Sequence, residues 1–294
     1  MGLGVGWRLA ASGCTVDLFE QGQAGRGASW AAAGMLAAGV ETEPSEEALF
    51  ALNRQAQLAW PGFAAELEGL TGIDLGLRQE GTLVVALTRD DEHQLRFSFD
   101  FQRRLGIELE WLSGREARAR EPHLHPGAVA AIYSPQDHQV DNRRLVQALQ
   151  DAFAKAGGRL HEHTQVRALE STGGAVRGVW LGDRLHTADA VLLAAGAWSR
   201  TIDGVPPHAM PPVRPLKGQM LALRMDRPIL DHVVWAPKIY LVPRLDGRLL
   251  IGATVEERGF DKDLTAGGVL SLLEAAWRAL PTIEELAIDE MWVG

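Results

Sequence analysis

Glu20 is the first residue of this chain whose type and place suggest a chemical task. It ends the run Thr15-Val-Asp-Leu-Phe-Glu20, which follows a helical stretch opened by Gly2-Leu-Gly4-Val-Gly6 and stopped by Ser12-Gly13. A carboxylate at the tip of a second strand, about 20 residues past a glycine turn, accepts from a ribose hydroxyl, while the glycines and the helix N-terminus receive a pyrophosphate. Spacing decides the register. If Gly2 opened the G-x-G-x-x-G pattern, its third small residue would be Trp7, and Glu20 would come too soon for a full helix and return strand. With Gly2 as the last fingerprint glycine the spacing fits, and the first strand and the other two glycines fall before Met1. An acid at this position also opposes a 2′-phosphate, since two anions would meet.

Directly after Glu20, Gln21 to Ala24 form a turn, and in Gly25–Ala38 ten of fourteen residues are Gly, Ala or Ser. Side chains this small let the main chain lie against a large ligand and offer it N–H groups. A tightly packed helix of small residues is the competing reading, and Glu20 beside it favours the ligand. Tyr240, in Ile239-Tyr-Leu-Val, faces away from Ile239 and Leu241, so its hydroxyl is free to meet a substrate; strand tyrosines more often simply pack, and both readings stand. Arg244 follows Pro243 and is expected to anchor a turn. Lys238 carries no clear task. His161-Glu-His163 would put two imidazoles on one strand face, but no third ligand lies near and solvent-facing histidines are commoner, so no metal is assigned. No Ser/His/Asp set and no paired carboxylates occur.

The elements that must position these residues alternate between helix and strand. A helix begins at Pro44-Ser45, carries the stripe Leu49, Leu52, Ala56 and Ala59, breaks at Pro61 and resumes with Phe63, Leu67 and Leu70 to cover its neighbours. Gly81–Leu87 is a strand, Asp90–Leu105 a helix, Ser113-Gly-Arg-Glu116 a capping box, and Val129–Tyr133 a strand. Asp141 caps a helix with the face Leu145, Leu149, Ala152, Phe153 and Ala156. Strands Leu160–Leu169 and Val176–Leu181 meet at Gly173-Gly174. The unbroken apolar run Ala188–Ala195 predicts a parallel strand buried on both faces, ending at Gly196. Beyond the Pro-rich stretch 206–215, the runs Gly218–Leu223, His232–Trp235, Ile239–Val242 and Leu249–Val255 predict an antiparallel sheet. A helix with Leu270, Leu273, Trp277 and Leu280 follows, stopped at Pro281.

Composition bounds the rest. A length of 294 residues allows about two domains, and 46% apolar with 23% charged residues is ordinary for a globular protein. A net charge of −9 disfavours nucleic acid and anionic membranes as partners. The lone Cys14 excludes internal disulfides and fits a reducing cytoplasm. No apolar run reaches the length of a membrane span. Arg8 interrupts any signal-peptide core, and Gly6 breaks a myristoylation pattern.

Glu20-Gln21, Ala28-Ser29 and Ala31-Ala-Ala-Gly34-Met-Leu36 resemble the flavin-binding segment of the D-amino-acid-oxidase superfamily, and within it the glycine oxidases of thiamine biosynthesis. The resemblance continues in order through Val140-Asp-Asn-Arg-Arg-Leu, Val191–Ser199, Pro215-Leu-Lys-Gly218-Gln219, Ile239–Arg244 and Gly252-Ala-Thr254, and so covers nearly the whole chain. It implies an α/β fold: a Rossmann-type FAD-binding domain, first strand missing, with an inserted, mostly antiparallel substrate domain. The expected division is 1–73 and 140–206 for FAD, discontinuous and incomplete, and 74–139 and 207–294 for substrate. It implies FAD as cofactor, contacted by Gly2, Glu20, Gln21, Ala28, Ser29, Ala33, Gly34, Met35, Val166 (by its backbone) and Gly196, with Tyr240 on the substrate carboxylate. It implies oxidative deamination of glycine or another small amine acid, with hydride passing to flavin and then O2 giving H2O2; a quinone-linked D-amino-acid dehydrogenase and an inactive truncated fragment stay open. Homo-oligomerisation stays open too. Relatives carry a substrate-gripping arginine and closing flavin-domain elements beyond Gly294, so residues 1–294 alone are expected to hold FAD poorly and not to turn over.

Overall fold

The structure, a computed structural model, describes residues 1–294. In chain order it begins α1 (Gly2–Ala11), β1 (Asp17–Phe19), the single turn α2 (Ala28–Ala31), β2 (Met35–Leu36), α3 (Glu47–Thr71), β3 (Thr82–Ala86) and α4 (Arg89–Arg104). Next come β4 (Glu110–Ser113), α5 (Gly114–Arg120), β5 (Ala130–Ser134), β6 (His138–Gln139), α6 (Asn142–Lys155), β7 (Arg159–His161), β8 (Ala168–Thr172), β9 (Ala175–Leu181) and β10 (Arg184–Thr187). The last are β11 (Gln219–Arg224), β12 (Val233–Ala236), β13 (Ile239–Pro243), β14 (Arg248–Gly252), α7 (Ala266–Ala279) and β15 (Ala287–Val293). They gather into two compact units. One holds Met1–Trp30, Leu145–Lys217 and Glu257–Asp261, the other Ala31–Arg144, Gly218–Glu256 and Lys262–Gly294. These units follow contacts and not ligands, so residues 31–73 sit with the large sheet although the sequence grouped them with the FAD segment.

In the first unit α1 buries Leu3, Trp7 and Ala10, while Gly6 lets the ring of Phe153 approach to within 3.2 Å of where a Cβ would stand. Chain direction returns through Gly13 at φ 94°, a value glycine adopts freely. β1 then pairs in parallel with β7, Asp17 opposite Arg159 and Phe19 opposite His161. β8, β9 and β10 form an antiparallel sheet whose first hairpin turns at Gly173 and Gly174, both at positive φ.

Two strand expectations fail here. Leu160–Leu169 is not one strand: His163 at φ 53° breaks it, and Thr164 donates to the Glu20 carbonyl at 2.8 Å where a continuing ladder would run. Ala188–Ala195 forms no strand at all, and Leu192 is 59% exposed. A two-sided buried strand needs a hydrogen-bonded neighbour and cover, and no ladder reaches this run.

The second unit is built on an eight-stranded sheet ordered β15-β11-β14-β13-β12-β3-β5-β4. Every ladder is antiparallel except β12 on β3, where Val233–Trp235 align with Thr82–Val84. One face packs Leu221, Leu223, Leu241, Leu249 and Ile251 against Leu272, Ala276 and Ala279 of α7. Burying each such leucine or isoleucine contributes about 1.5–3 kcal/mol. The capping boxes Thr88–Asp91 and Ser113–Glu116 start α4 and α5, and Asp141 accepts from the Arg143 and Arg144 N–H groups at the head of α6.

α3 departs from expectation twice. It runs unbroken for 25 residues with Pro61 inside. Its buried side is Gln57, Ala64 and Leu67, whereas Leu52 is 63% exposed, because Gln57 is drawn inward to donate to Asp137 Oδ1 at 2.7 Å. The stretch Met291-Trp-Val, to which the sequence reading gave no element, belongs to edge strand β15, paired with β11.

Candidate functional site

In the first unit the residues expected around a dinucleotide converge on the N-terminus of α1 and the end of β1. A Cβ on Gly2 would lie 3.4 Å from Ala194 Cβ and 3.7 Å from Leu18, so the helix opening sits against both β1 and the run that leads into Gly196. Glu20 Oε1 accepts from the Gly22 N–H at 2.9 Å, which fixes the carboxylate by an Asx-like turn and leaves its second oxygen without a partner. The Glu20 backbone is held on both sides, by His161 O at 3.0 Å and Thr164 N at 2.8 Å, and Val166 follows two residues on. A Cβ on Gly27 would lie 3.7 Å from the Trp198 ring, so the small-residue segment runs beside the turn after Gly196. Gln21, Ala28, Ser29 and Gly196 are exposed. Exposed small residues, a free carboxylate oxygen and an open helix N-terminus form a surface that suits a polar ligand carrying phosphate and sugar.

Below β1 lies a group the sequence reading did not find. Asp17 accepts from Arg159 at 2.7 Å and 2.5 Å and meets His161 Nε2 at 2.7 Å and His186 Nε2 at 3.4 Å. The Arg159 hydrogen bonds, opposed by burial and helped by His161, hold the Asp17 carboxyl far below the usual carboxylate range. His163 stands in the turn, not on a strand with His161, so the two imidazoles do not share a face.

The second unit carries the other half of the expected residues on one face of its sheet. Ala31, Ala33 and Met35 pack with Met220, Val242, Trp292, Trp235 and Tyr240. Trp292 Nε1 donates to the Ala31 carbonyl at 3.1 Å, tying the segment to β15. Tyr240 lies over Gly252, whose missing side chain makes room for the ring, with Trp235 at 5.5 Å between centroids. Burial first, and the Glu41 carboxylate second, push the Tyr240 hydroxyl up to about 12, so it remains a donor throughout the neutral range. Its only acceptor is the Met220 thioether at 3.7 Å, a weak bond readily exchanged. Trp235 Nε1 is buried and donates to nothing. Two neutral donors thus stand side by side on an apolar face, one unsatisfied and one nearly so. An unpaired buried N–H costs about 1–3 kcal/mol, and an anion placed there would recover that cost.

Across all of residues 1–294 the sequence matches a family described as FAD dependent oxidoreductase. The chain belongs to this family. The glycine oxidase of Geobacillus kaustophilus is 37% identical over 305 residues, taking in 100% of this chain and 78% of the relative. The crystal structure of glycine oxidase from that organism superposes with a TM-score of 0.94 at 36% identity, over 100% of this chain and 79% of that one. Pseudomonas putida glycine oxidase is 33% identical over 100% of this chain and 79% of its own length, and the bifunctional protein ThiO/ThiG of Synechocystis is 33% identical over 91% and 39% respectively. The α/β fold with a large, mostly antiparallel sheet is therefore that of the FAD-dependent family, as the motifs implied.

For a member of this family, the residues present suit the cofactor. In the first unit Gly2 lies against β1 and the run before Gly196, with Glu20 at the end of β1, and in the second Ala33, Met35 and Tyr240 share one apolar cluster. Gly34 has no room for a side chain, since at φ 67° its Cβ would collide with the Val140 carbonyl, so only main chain is presented there. From sequence, Trp235 is only the end of a strand; the structure adds its unpaired buried N–H beside Tyr240. Sequence reasoning took Arg244 for a turn anchor, whereas Arg244 reaches out of β13 to the Ala33 carbonyl. The Arg244 contact has no local signal, because its partner lies 211 residues away, and nothing in the sequence marks the Trp235 N–H as left without an acceptor. No helix is long and apolar enough to cross a membrane.

Proposed function

We propose that this chain oxidises glycine or another small amine acid with FAD as its cofactor, passing electrons to O2, and that the imine it makes feeds the thiazole branch of thiamine synthesis in the cytoplasm. The observation that carries the reading is the paired donor set of Tyr240 and Trp235 on an apolar face. Two neutral donors without a strong acceptor fit a carboxylate, and the absence of bulk at Gly252 and Ala33 keeps the neighbourhood small. FAD, when bound, accepts a hydride from the substrate α-carbon and returns both electrons to O2 as peroxide. The protein's share is orientation. Tyr240 and Trp235 would fix the carboxylate, so that the α-carbon is presented at one position, and the apolar neighbours Met220 and Val242 exclude water from it. The amine, bound neutral, supplies the lone pair that forms the C=N bond as the hydride leaves, so the product is the iminium and no acid or base of the chain is required. Glu20 would accept from the ribose, the α1 N-terminus at Gly2 would face the pyrophosphate, and Ala33, Gly34 and Met35 would bound the flavin with main chain.

The test is to express the chain, record its visible spectrum after FAD addition and assay peroxide with glycine, sarcosine, D-alanine and D-proline. FAD uptake with peroxide release from one of these supports the reading. Turnover with a quinone dye but no peroxide would move the chain to the dehydrogenases, and NADH binding without FAD would remove the whole proposal.

A further inference from the structure

Arg244 is 6% exposed, and its guanidinium makes four hydrogen bonds, none to a carboxylate. Nη1 donates to the Val140 carbonyl at 2.7 Å and to Gln139 Oε1 at 3.1 Å, and Nη2 to the Ala33 carbonyl at 2.7 Å and Asn142 Oδ1 at 3.0 Å. Burying a cation among neutral acceptors is a costly way to join two loops, since an apolar or amide side chain would do so without desolvating a charge. Asp141, the acid whose charge acts most on Arg244, is already engaged by Arg144 and Arg248, both at 3.8 Å. Burial lowers the Arg244 pKa only to about 10, so the charge persists at neutral pH.

What the guanidinium achieves is an orientation. The Ala33 carbonyl points at Nη2, and because the peptide is planar and trans the Gly34 N–H points to the opposite side. On the other side of Gly34, its carbonyl accepts from the Val140 N–H at 2.9 Å. Both peptides flanking the Gly34 Cα are therefore pinned at a φ of 67° that glycine adopts freely, and a Cβ there would collide with the Val140 carbonyl. The Gly34 N–H is the group left over, donating to no acceptor in the protein. It lies in the segment that packs on the Tyr240 and Trp235 face.

We propose that Arg244 is a positioning residue for the cofactor: by gripping the Ala33 carbonyl it turns the Gly34 N–H outward as a hydrogen-bond donor to the bound flavin. The inference rests on the FAD reading above. A lysine keeps the charge but lacks the planar fork that spans two carbonyls, so the grip and not the charge alone is at stake.

The experiment compares the full chain with Arg244→Lys and Arg244→Met. Three readouts are taken: FAD affinity, the flavin visible spectrum, and hydrogen exchange at the Val140 N–H against Leu241 and Leu249 in the sheet. Loss of the grip is expected to weaken FAD binding about tenfold in the lysine variant and further in the methionine variant, to shift the flavin bands, and to speed exchange at Val140 about tenfold with the sheet amides unchanged. FAD affinity within about twofold and an unchanged spectrum in the lysine variant would overturn the assignment, as would sheet amides that loosen as much as Val140, which is the mark of a merely structural arginine. Indifference of FAD to position 244 overturns this inference alone, whereas an unsubstituted chain that takes up no FAD overturns it together with the FAD reading.

Discussion

At the scale of single residues, Tyr240 and Trp235 each predict a loss in binding without a loss in stability. Tyr240→Phe removes a hydroxyl whose only partner is a thioether, so folding should hardly change. Substrate binding should weaken by about 1.5–3 kcal/mol, the loss of a charge-assisted hydrogen bond, seen as a rise in KM of roughly ten- to a hundredfold with FAD content unchanged. Kinetics within about twofold of the parent would make Tyr240 a packing residue. Its raised pKa adds a pH test. The neutral hydroxyl contributes stability that is complete below about 10, the unfolded value, and is lost as pH rises through the folded value of about 12; Tyr240→Phe should remove that part of the alkaline limb. Trp235→Phe takes away a buried N–H that has no acceptor, so the variant is expected to melt at the same or a higher temperature, by up to about 1 kcal/mol, while binding substrate less well. A variant that loses stability and keeps its KM would show the indole N–H to have no part in recognition.

Among the elements, those whose signals are local were legible and those that need a distant partner were not. α1, β1 and the caps at Ser113 and Asp141 follow from residues within a turn or two of each other. The place of Glu20 at the end of a short strand after a glycine-opened helix was legible for the same reason. The run Ala188–Ala195 was not, because hydrophobicity says what a segment prefers to bury and nothing about whether a ladder is there to receive it. In α3 the error lay in the face of its first half: Gln57 is buried through Asp137, a link across 80 residues, and Leu49 and Leu52 are exposed while Leu67 is buried as expected. Pro61 in that unbroken helix removes one backbone bond, so Pro61→Ala is expected to stabilise by about 1–3 kcal/mol in a denaturant titration, and a lower midpoint would mean that Pro61 fits a bend the helix needs. The β1–β7 ladder is tied by Asp17. A carboxylate whose folded pKa is depressed contributes stability present above its unfolded value, about 4, and lost as pH falls below it. Thermal melts of Asp17→Asn should thus lie below those of the parent near neutrality and converge with them in acid; parallel curves at all pH values would show the ion cluster to be inert.

On the scale of the whole molecule, the order of motifs along the chain was readable while the joining of the sheet was not. Its strands come from two stretches, β3 to β5 before the first unit's long segment and β11 to β15 after it, and they meet in one three-residue parallel ladder. That seam has a consequence in time. During synthesis β3 finds β5 quickly, but Thr82 waits for Val233, about 150 residues later, which at roughly 5–20 residues per second is about 8–30 s. Throughout that interval Thr82-Leu-Val-Val-Ala86, without a charge or a proline, keeps one bare edge, the kind that recruits other strands. Ribosomes stalled with the chain ending near residue 200 should therefore hold holdase chaperones at β3, and those stalled after β14 has emerged should release them; equal occupancy at both points would mean that the edge is covered in some other way. Until β12 arrives, the newborn protein stays exposed along a line through the middle of its finished sheet.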